Sequence, residues 1–322
     1  MGTHAIAVDV GGTHIRAAVI TSEGHVVHVV RDKTHAEEGP RAVVARVIHL
    51  TRAAMAECER QQVVGVGVAA PGPVDPDRGL VMYPPNLPGW GEIPLARLLE
   101  EALELPVWLG NDANLAALGE HRFGAGRGTA HMIYITISTG VGGGIIVNRR
   151  LVTGALGLAA EVGHMPLIPE GPLCSCGHRG HLEALAAGPS IAREARAAVE
   201  RGWETALATL DHPLSAEDVV AAARAGDRVA LELLARAGTH VGRAMALLVH
   251  LFNPERFVVG GGVSNAGDLI LEPARRAARR HVLPTYRHTF DVVPASLGDN
   301  AGVVGAAVLV FEAVGAGGAV TC

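Results

Sequence analysis

The chain has 322 residues, of which 49% are hydrophobic and 18% charged, and its formal net charge is −5. This length allows about two domains with large buried cores, and the composition excludes an intrinsically disordered chain. The negative charge and an aromatic content of 3% are untypical of a protein that binds nucleic acid through a basic surface or stacked bases.

Lysine is nearly absent, since Lys33 is the only lysine among 27 basic residues. It lies in a polar run without a glycine-rich motif, which excludes a P-loop lysine and a protein-kinase phosphate lysine. Phosphate chemistry in this chain would therefore need backbone amides, a metal ion or arginine.

No targeting segment is recognisable, because the first residues lack a secretory or myristoylation motif. The most apolar stretch, 301–320, contains Glu312 and five glycines, so it predicts a buried helix and no membrane span. Four cysteines are too few for a disulfide framework. We therefore expect a cytoplasmic protein.

The first half of the chain begins with a predicted β-hairpin. The apolar run AIAVDV ends near Asp9, and Gly11, Gly12 and Thr13 form a turn before the run IRAAVI. Helical spacing of apolar residues follows from Val43, with Cys58 as a core residue. The next predicted elements are a strand at VVGVGVAA, a helix with Pro94 in its first turn, a buried strand at PVWLG and a helix opened by Asn111-Asp112.

The second half repeats this beginning. MIYITIS predicts a strand, the glycine-rich segment from Thr139 to Gly144 a turn, and IIVNRRLV a second strand. Two halves that open with the same strand–turn–strand arrangement indicate an internally duplicated α/β protein. The other predicted elements are helices at 189–201, 215–224 (with a capping box of Ser215 and Asp218), 228–252, 266–280 and 301–314, and strands at FVVGGGV and 290–294.

The glycine turns suggest nucleotide binding. Backbone N–H groups of consecutive small residues form a concavity that holds phosphate oxygens, and a carboxylate such as Asp9 is able to orient a hydrated Mg²⁺. A single such turn is adequately explained as a hairpin. Two matched turns, together with Gly260–Gly262 at a strand end, favour a nucleotide site. None is a G-x-G-x-x-G opening a helix, which disfavours a dinucleotide site.

Asp112 is a candidate catalytic carboxylate. It lies where a strand ends and a helix begins, which is the edge of an open α/β sheet that faces the ligand crevice. The positive end of the helix stabilises the ionised carboxylate, which is then able to accept a hydroxyl proton. Local sequence alone also allows Asn111 and Asp112 to be simple helix caps.

Cysteine and histidine cluster in one segment. Glu161-x-Gly-His164 precedes Cys174-x-Cys176-Gly-x-x-Gly-His181-x-Glu183, and thiolate and imidazole ligands in a glycine-rich loop suit tetrahedral zinc. His164, Cys174, Cys176 and either His178 or His181 would complete four ligands, which describes a structural site. Ordinary cytosolic thiols are the alternative. Glu161 and Glu183 are candidates for binding polyol hydroxyls, or they are surface charges.

Taken in order, these motifs resemble the ROK family of repressors and sugar kinases, and in particular its glucokinase-like members. The segments that carry the resemblance span nearly the whole chain: DVGGTHIRAAV, GVAAPGPVD, NLPGW, NDANLAALGE, TISTGVGGGII, EVGHM, CSCGHRGHLE and FVVGGGVS. The resemblance implies the two-lobed actin-like, ribonuclease-H-like α/β fold with duplicated domains. It also implies transfer of the γ-phosphoryl of Mg-ATP to a hexose hydroxyl, usually O6 of glucose, by a homodimer or homotetramer. We expect one lobe at 1–117 with 301–322, and the other, with the zinc loop, at 118–300.

The resemblance assigns roles to individual positions. Phosphates would be held by Gly11, Gly12, Thr13, Thr139 and Gly140, with Asp9 near the metal and Gly261 and Gly262 beside the adenosine. Asp112 corresponds to the catalytic base, and the sugar-binding positions are Asn86, Asn111, Asp112, Glu161, His164 and Glu183. The zinc ligands correspond to His164, Cys174, Cys176 and His181.

This chain departs from the family pattern at His181, where a third cysteine is common. Imidazole is a sound zinc ligand, so we expect the site to persist with two cysteines and two histidines, and His178 is the competitor for the fourth position.

Two other functions compete with a glucokinase. A sugar-responsive repressor would need a helix-turn-helix ahead of the motif at Asp9, and we expect no room for one. An actin-like assembly ATPase would need neither the cysteine loop nor the NDAN segment. Among kinases, N-acetylglucosamine, N-acetylmannosamine, mannose and fructose are alternative acceptors, and polyphosphate is an alternative donor.

Overall fold

The computed structural model of this chain describes residues 3–315 and has a mixed α/β architecture. Its strands are β1 (His4–Val10), β2 (His14–Thr21), β3 (Val26–Lys33), β4 (Val63–Ala70), β5 (Val74–Asp75), β6 (Leu80–Met82), β7 (Glu92–Ile93), β8 (Val107–Asn111), β9 (Met132–Ile137), β10 (Val141–Val147), β11 (Arg150–Leu151), β12 (Arg256–Gly260) and β13 (Asp291–Pro294). Its helices are α1 (Pro40–Met55), α2 (Leu95–Leu103), α3 (Asp112–Phe123), α4 (Leu182–Ala186), α5 (Gly188–Glu200), α6 (Ala216–Arg224), α7 (Arg228–Phe252), α8 (Asp268–His281) and α9 (Ala301–Gly315).

The described residues form two compact units. Unit 1 comprises 3–127, 151–160 and 299–315, and unit 2 comprises 128–150 and 161–298. These bounds differ from the predicted division at 117/118 and 300/301. Helix α3 belongs whole to unit 1, since Gly119 packs against the α9 backbone, and the segment 151–160 belongs there because Gly157 packs against Pro76. Local sequence patterns do not report such distant contacts.

Each unit contains a five-stranded sheet of the same topology. The strand order is β3-β2-β1-β4-β8 in unit 1 and β11-β10-β9-β12-β13 in unit 2. In both sheets the first strand of the half pairs antiparallel with the second, and the next two strands are added parallel to it. This correspondence agrees with the internal duplication predicted from the two hairpins. A small third sheet consists of β5, β6 and β7.

The unit 1 sheet is covered on both faces. Ile6 and Val8 of β1 lie in the core that includes α1 and α2, while Ala5 and Ala7 point to the other face and pack with α3 and α9. Because alanine and glycine occupy that second face, α9 lies very close to the sheet. A Cβ added to Gly67 of β4 would lie 2.0 Å from the carbonyl oxygen of Ala306.

Helix α9 is the apolar C-terminal helix that the sequence predicts to be buried. Together with the turn before it, α9 is the one segment of the described residues whose length and apolar composition would allow it to span a membrane. Half of this segment is buried inside the protein. Val303, Ala306 and Val310 are almost fully enclosed in the core of unit 1. The part of the predicted stretch after residue 315 lies outside the described residues.

Most long periodic segments fold as predicted. Helix α7 has the predicted bounds, the other predicted helices agree within a few residues, and Ser215 and Asp218 form the predicted capping box. Three local predictions need adjustment. Pro94 is the residue just before α2, and Cys58 lies beyond the end of α1, although it still packs on the core. The predicted second turn is shorter than expected, because Val141–Gly144 already belong to β10. Strand β3 and helix α4 were not predicted, because one is a partly exposed edge strand and the other is five residues long.

A pair of glycine substitutions in α9 tests this close packing. A Cβ on Gly305 would lie 1.6 Å from the carbonyl oxygen of Leu115, so Gly305→Ala should lower the free energy of unfolding by about 3 kcal/mol. Gly315 is the last described residue of the same helix, and no atom of residues 3–314 lies within 4 Å of such a Cβ, so Gly315→Ala should change stability by less than about 0.5 kcal/mol. Urea unfolding followed by circular dichroism measures both, and equal stabilities would contradict the packing.

Candidate active site

The first glycine turn, Gly11–Thr13, joins β1 to β2 at the carboxyl end of β1. The N–H of Gly11 donates to the carbonyl of His14 at 2.9 Å, which closes the turn. A Cβ on Gly12 would lie 2.9 Å from the carbonyl oxygen of Asn86, so only glycine allows the turn to contact that loop. The turn and the exposed side chain of Asn86 are therefore neighbours in unit 1.

The carboxylate of Asp9, at the end of β1, is engaged by a cation that the sequence prediction missed. Arg16, directly opposite on β2, donates to its Oδ2 at 2.5 Å. The start of α9 is also close, since a Cβ on Gly302 would lie 3.4 Å from the same oxygen. The antiparallel register of the hairpin could have suggested this pair. Asp9 is thus held in place by Arg16 and lies beside the first turn of α9.

Asn111 and Asp112 lie where β8 ends and α3 begins, as predicted. The side-chain oxygen of Asn111 caps the helix by accepting from the amides of Ala113 and Asn114 at 3.0 and 3.1 Å. Since its oxygen is used this way, the amide nitrogen of Asn111 is the group that points outward as a donor. Asp112 is the first residue of α3, its side chain is exposed, and its Oδ1 accepts from Ala113 at 2.7 Å.

The strand order brings these residues of unit 1 to one edge. Strands β1, β4 and β8 are parallel neighbours, so Asp9 and Asn111 lie at the ends of two strands that are separated by one intervening strand. Adjacent strands are about 5 Å apart, which puts the two strand ends roughly 10 Å from each other. The first glycine turn, Asn86 and Asp112 thus belong to the same region of unit 1.

The second glycine turn, in unit 2, borders a cavity of about 370 Å³. Ser138 and Thr139 line it together with the first residues of α5 and α6 and with Gly262. The N–H of Gly188, the first residue of α5, donates to the carbonyl of Ser138 at 2.8 Å, which ties the start of this helix to the residue before Thr139. Gly261 has a φ of +86°, and a Cβ there would lie 2.4 Å from the carbonyl of Ile137. The structure therefore gathers Thr139, Gly140, Gly261 and Gly262 in one part of unit 2.

The segment Glu161–His164 packs on β10 of the same unit. A Cβ on Gly163 would lie 1.9 Å from the carbonyl of Val141, and one on Gly143 would lie 2.6 Å from Val162. These glycines allow the segment to lie flat on the strand. His164 thereby directs Nδ1 toward Cys174 at 3.8 Å and Nε2 toward Glu161 at 3.9 Å.

The predicted metal ligands cluster as the sequence suggests. One donor atom from each of His164, Cys174, Cys176 and His181 lies within 4.8 Å of all the others. Four donors around one zinc ion lie roughly 3.5 Å apart, so this set fits the ion after small side-chain shifts. The other candidate, His178, stacks on His181, and its Nδ1 lies 3.8 Å from Cys176, against 3.2 Å for His181.

The two thiols of this cluster differ in their surroundings. Burial raises the pKa of Cys174. Burial also opposes ionisation of Cys176, but hydrogen bonds with the backbone and ring of His178 outweigh it and lower the pKa to about 6. The thiolate is the form of cysteine that binds metals, so Cys176 is the thiol better prepared for this role.

Glu183 connects the cysteine loop to the second glycine turn. Its Oε1 accepts from the hydroxyl of Ser175 at 2.7 Å, and its Oε2 accepts from the backbone N–H of Val141 at 3.2 Å. A Cβ on Gly140 would lie 2.7 Å from that second oxygen. The sequence prediction named Glu183 as a sugar ligand and missed this connection, because nothing in local sequence relates Ser175 to Val141.

Comparison with known proteins identifies the family. The family model described as ROK matches residues 5–313. This chain belongs to the ROK family. The glucokinase of Thermotoga maritima is 37% identical over 313 residues, which covers 96% of this chain and 98% of that protein. The xylose repressor of Bacillus subtilis is 28% identical over 96% of this chain and 77% of the repressor.

A solved ROK structure extends the comparison to the fold. The ROK family glucokinase from Streptomyces griseus, solved in complex with glucose and AMPPNP, is 36% identical, with a TM-score of 0.81 over 96% of this chain and 99% of that one. The predicted family and the predicted actin-like two-domain fold are thus confirmed. The roles of individual residues stay predictions.

Proposed function

We propose that this ROK protein is an ATP-dependent glucokinase that transfers the γ-phosphoryl of Mg-ATP to the 6-hydroxyl of glucose. The observation that carries the proposal is the exposed carboxylate of Asp112 at the first residue of α3, in a chain that matches a glucokinase over 96% of its own length and 98% of that protein. Similarity to the repressor is lower, 28% against 37%, and covers less of that protein, so it favours a kinase.

Phosphoryl transfer asks the protein mainly to position its substrates, and in this chain backbone groups would do most of that work. In unit 1 the amides of Gly11–Thr13 are proposed to hold phosphate oxygens. In unit 2 the same role falls to Thr139 and Gly140, with Gly261 and Gly262 beside the adenosine. The cavity next to that turn supports nucleotide binding there, because Thr139 and Gly262 both line it.

Asp112 is proposed to be the catalytic base. Its position at the positive end of α3 favours an ionised carboxylate, which accepts the proton of the glucose hydroxyl as the new P–O bond forms. Mg²⁺, bound with the nucleotide, would neutralise phosphate charge. Asp9 is a candidate to orient that ion through its water shell, and its ion pair with Arg16 keeps the carboxylate in one place.

Sugar-binding residues are proposed within each unit. In unit 1, Asn86 is exposed next to the first glycine turn, and Asn111 presents its amide nitrogen as a hydroxyl donor. In unit 2, Glu161 and Glu183 supply carboxylates and His164 supplies Nε2, on the side opposite to its contact with Cys174. Carboxylate acceptors and amide donors together match the hydroxyls of a hexose.

We also propose a structural zinc ion held by His164, Cys174, Cys176 and His181. When bound, the ion would cross-link the cysteine loop to the Glu161–His164 segment and fill all four coordination positions with protein ligands. The loop would then hold Ser175 against Glu183, and through Glu183 it would steady Val141 at the second glycine turn. A homodimer or homotetramer is proposed from the family resemblance alone.

The proposed function is tested with purified protein and a panel of hexoses. A coupled assay for ADP measures turnover of glucose, mannose, fructose, N-acetylglucosamine and N-acetylmannosamine with Mg-ATP as the donor. Glucose should give the highest kcat/KM. Polyphosphate is then tested with glucose as an alternative donor. A gel-shift assay with duplex DNA on the same sample tests the repressor alternative. Turnover of none of these sugars would refute the kinase.

Replacing Asp112 tests its role as the base. Asp112→Asn removes the charge without changing shape, so kcat should fall roughly 100-fold or more while glucose affinity changes only a few-fold. The matched control is Asp268→Asn, since Asp268 is also an exposed aspartate at the first position of a helix. The control should keep kcat within about twofold, and near-normal turnover of Asp112→Asn would refute the assignment.

The metal site is tested by comparing two neighbouring histidines. Protein purified without chelator should contain about one zinc per chain by atomic emission spectroscopy. His181→Ala should lose most of this zinc because it removes a fourth ligand, whereas His178→Ala should retain it. The opposite pattern would assign the fourth position to His178, and no zinc in any of the three proteins would contradict the site.

A further inference from the structure

We propose that Thr34 is a positioning residue that fixes the first glycine turn for phosphate binding, an inference that rests on the proposed function. Thr34 directly follows β3 and is fully buried. Its hydroxyl donates to the carbonyl of Gly11 at 2.6 Å, and its backbone N–H donates to the carbonyl of Thr13 at 2.8 Å. One residue therefore binds two of the three carbonyls of the turn.

The hydroxyl bond determines where an amide of the turn points. In a trans peptide the C=O and the following N–H point in opposite directions. Since the carbonyl of Gly11 is directed onto Thr34, the N–H of Gly12 points away from Thr34. Glycine imposes little backbone preference of its own, so this peptide needs an external anchor to keep its orientation.

Thr34 is itself anchored to helix α1. Arg46 donates to the carbonyl of Thr34 at 2.6 Å and to the carboxylate of Glu38 at 2.7 Å. Helix α1 is fixed in turn, because Val43 and Val47 are fully buried in the core. The glycine turn is thus connected through Thr34 and Arg46 to a rigid element of unit 1.

The two hydrogen bonds that Thr34 donates have different origins. The backbone bond to Thr13 extends the β2–β3 ladder beyond the pair His14 and Lys33, so nearly any residue would form it. The hydroxyl bond to Gly11 depends on the side chain. Valine has the shape of threonine without the hydroxyl, so Thr34→Val removes the hydroxyl bond alone and leaves the partly buried carbonyl of Gly11 without this donor.

The experiment compares Thr34→Val with a matched control in the same unit. Thr51 of α1 is also fully buried, and its hydroxyl donates to the main-chain carbonyl of Val47 at 2.7 Å. Thr51→Val therefore deletes a buried threonine hydroxyl and its hydrogen bond away from the glycine turn, and the carbonyl of Val47 keeps its helical N–H donor. Thr34→Ser keeps the hydroxyl and removes a methyl group. Binding of Mg-ATP is measured by isothermal titration calorimetry, and KM for ATP and for glucose by the coupled assay.

Thr34→Val should weaken Mg-ATP binding and raise KM for ATP by about fivefold or more, with KM for glucose within about twofold. Thr34→Ser and Thr51→Val should bind Mg-ATP within about twofold of the wild type. If Thr34→Val binds Mg-ATP as tightly as Thr51→Val, or if Thr34→Ser is equally impaired, the proposal is overturned.

Two further arms keep the outcome decisive. If Thr34→Val does not fold, Thr34→Ala takes its place, because it removes the same hydroxyl with less bulk. If the wild type phosphorylates none of the sugars but the difference in Mg-ATP affinity persists, the glucokinase proposal fails while the role of Thr34 stands.

Discussion

Close approach of one backbone to another, allowed by glycine, is the constraint on which the rest of this structure depends. Gly67 allows α9 to lie on the sheet of unit 1, Gly163 allows the segment before the cysteine loop to lie on β10, and Gly12 allows the phosphate turn to contact the loop of Asn86. In each case an added Cβ would lie within 3 Å of a backbone oxygen. The same kind of close contact thus builds the core and positions the candidate site.

Duplication explains why the candidate site residues occur in two similar groups. Both sheets have the same strand order, and each carries a glycine turn between its first two antiparallel strands. Backbone amides in such turns bind phosphate without a cationic side chain. This arrangement suits a chain with a single lysine, in which Arg16, the cation next to the first turn, is paired with Asp9.

Much of this was predictable from sequence, and the exceptions share one cause. The hairpins and the long helix α7 were predictable because their hydrophobic periodicity is local. The cysteine and histidine cluster was predictable because three of its members lie within eight residues of sequence. Three features were not predictable because they require contacts between distant segments. They are the connection from Ser175 through Glu183 to Val141, the burial of Thr34 under the first turn, and the assignment of 151–160 to unit 1. Periodicity carries no record of such contacts.

The scarcity of lysine has a practical consequence for spectroscopy. Lys33 is exposed, ends β3 opposite His14 and immediately precedes Thr34. Apart from the terminal amine, an amine-directed fluorophore or isotopic methyl tag has a single attachment point in the chain. That point adjoins the first glycine turn, so one reductive-methylation NMR resonance would report directly on events at the turn, without mutagenesis and without background from other lysines.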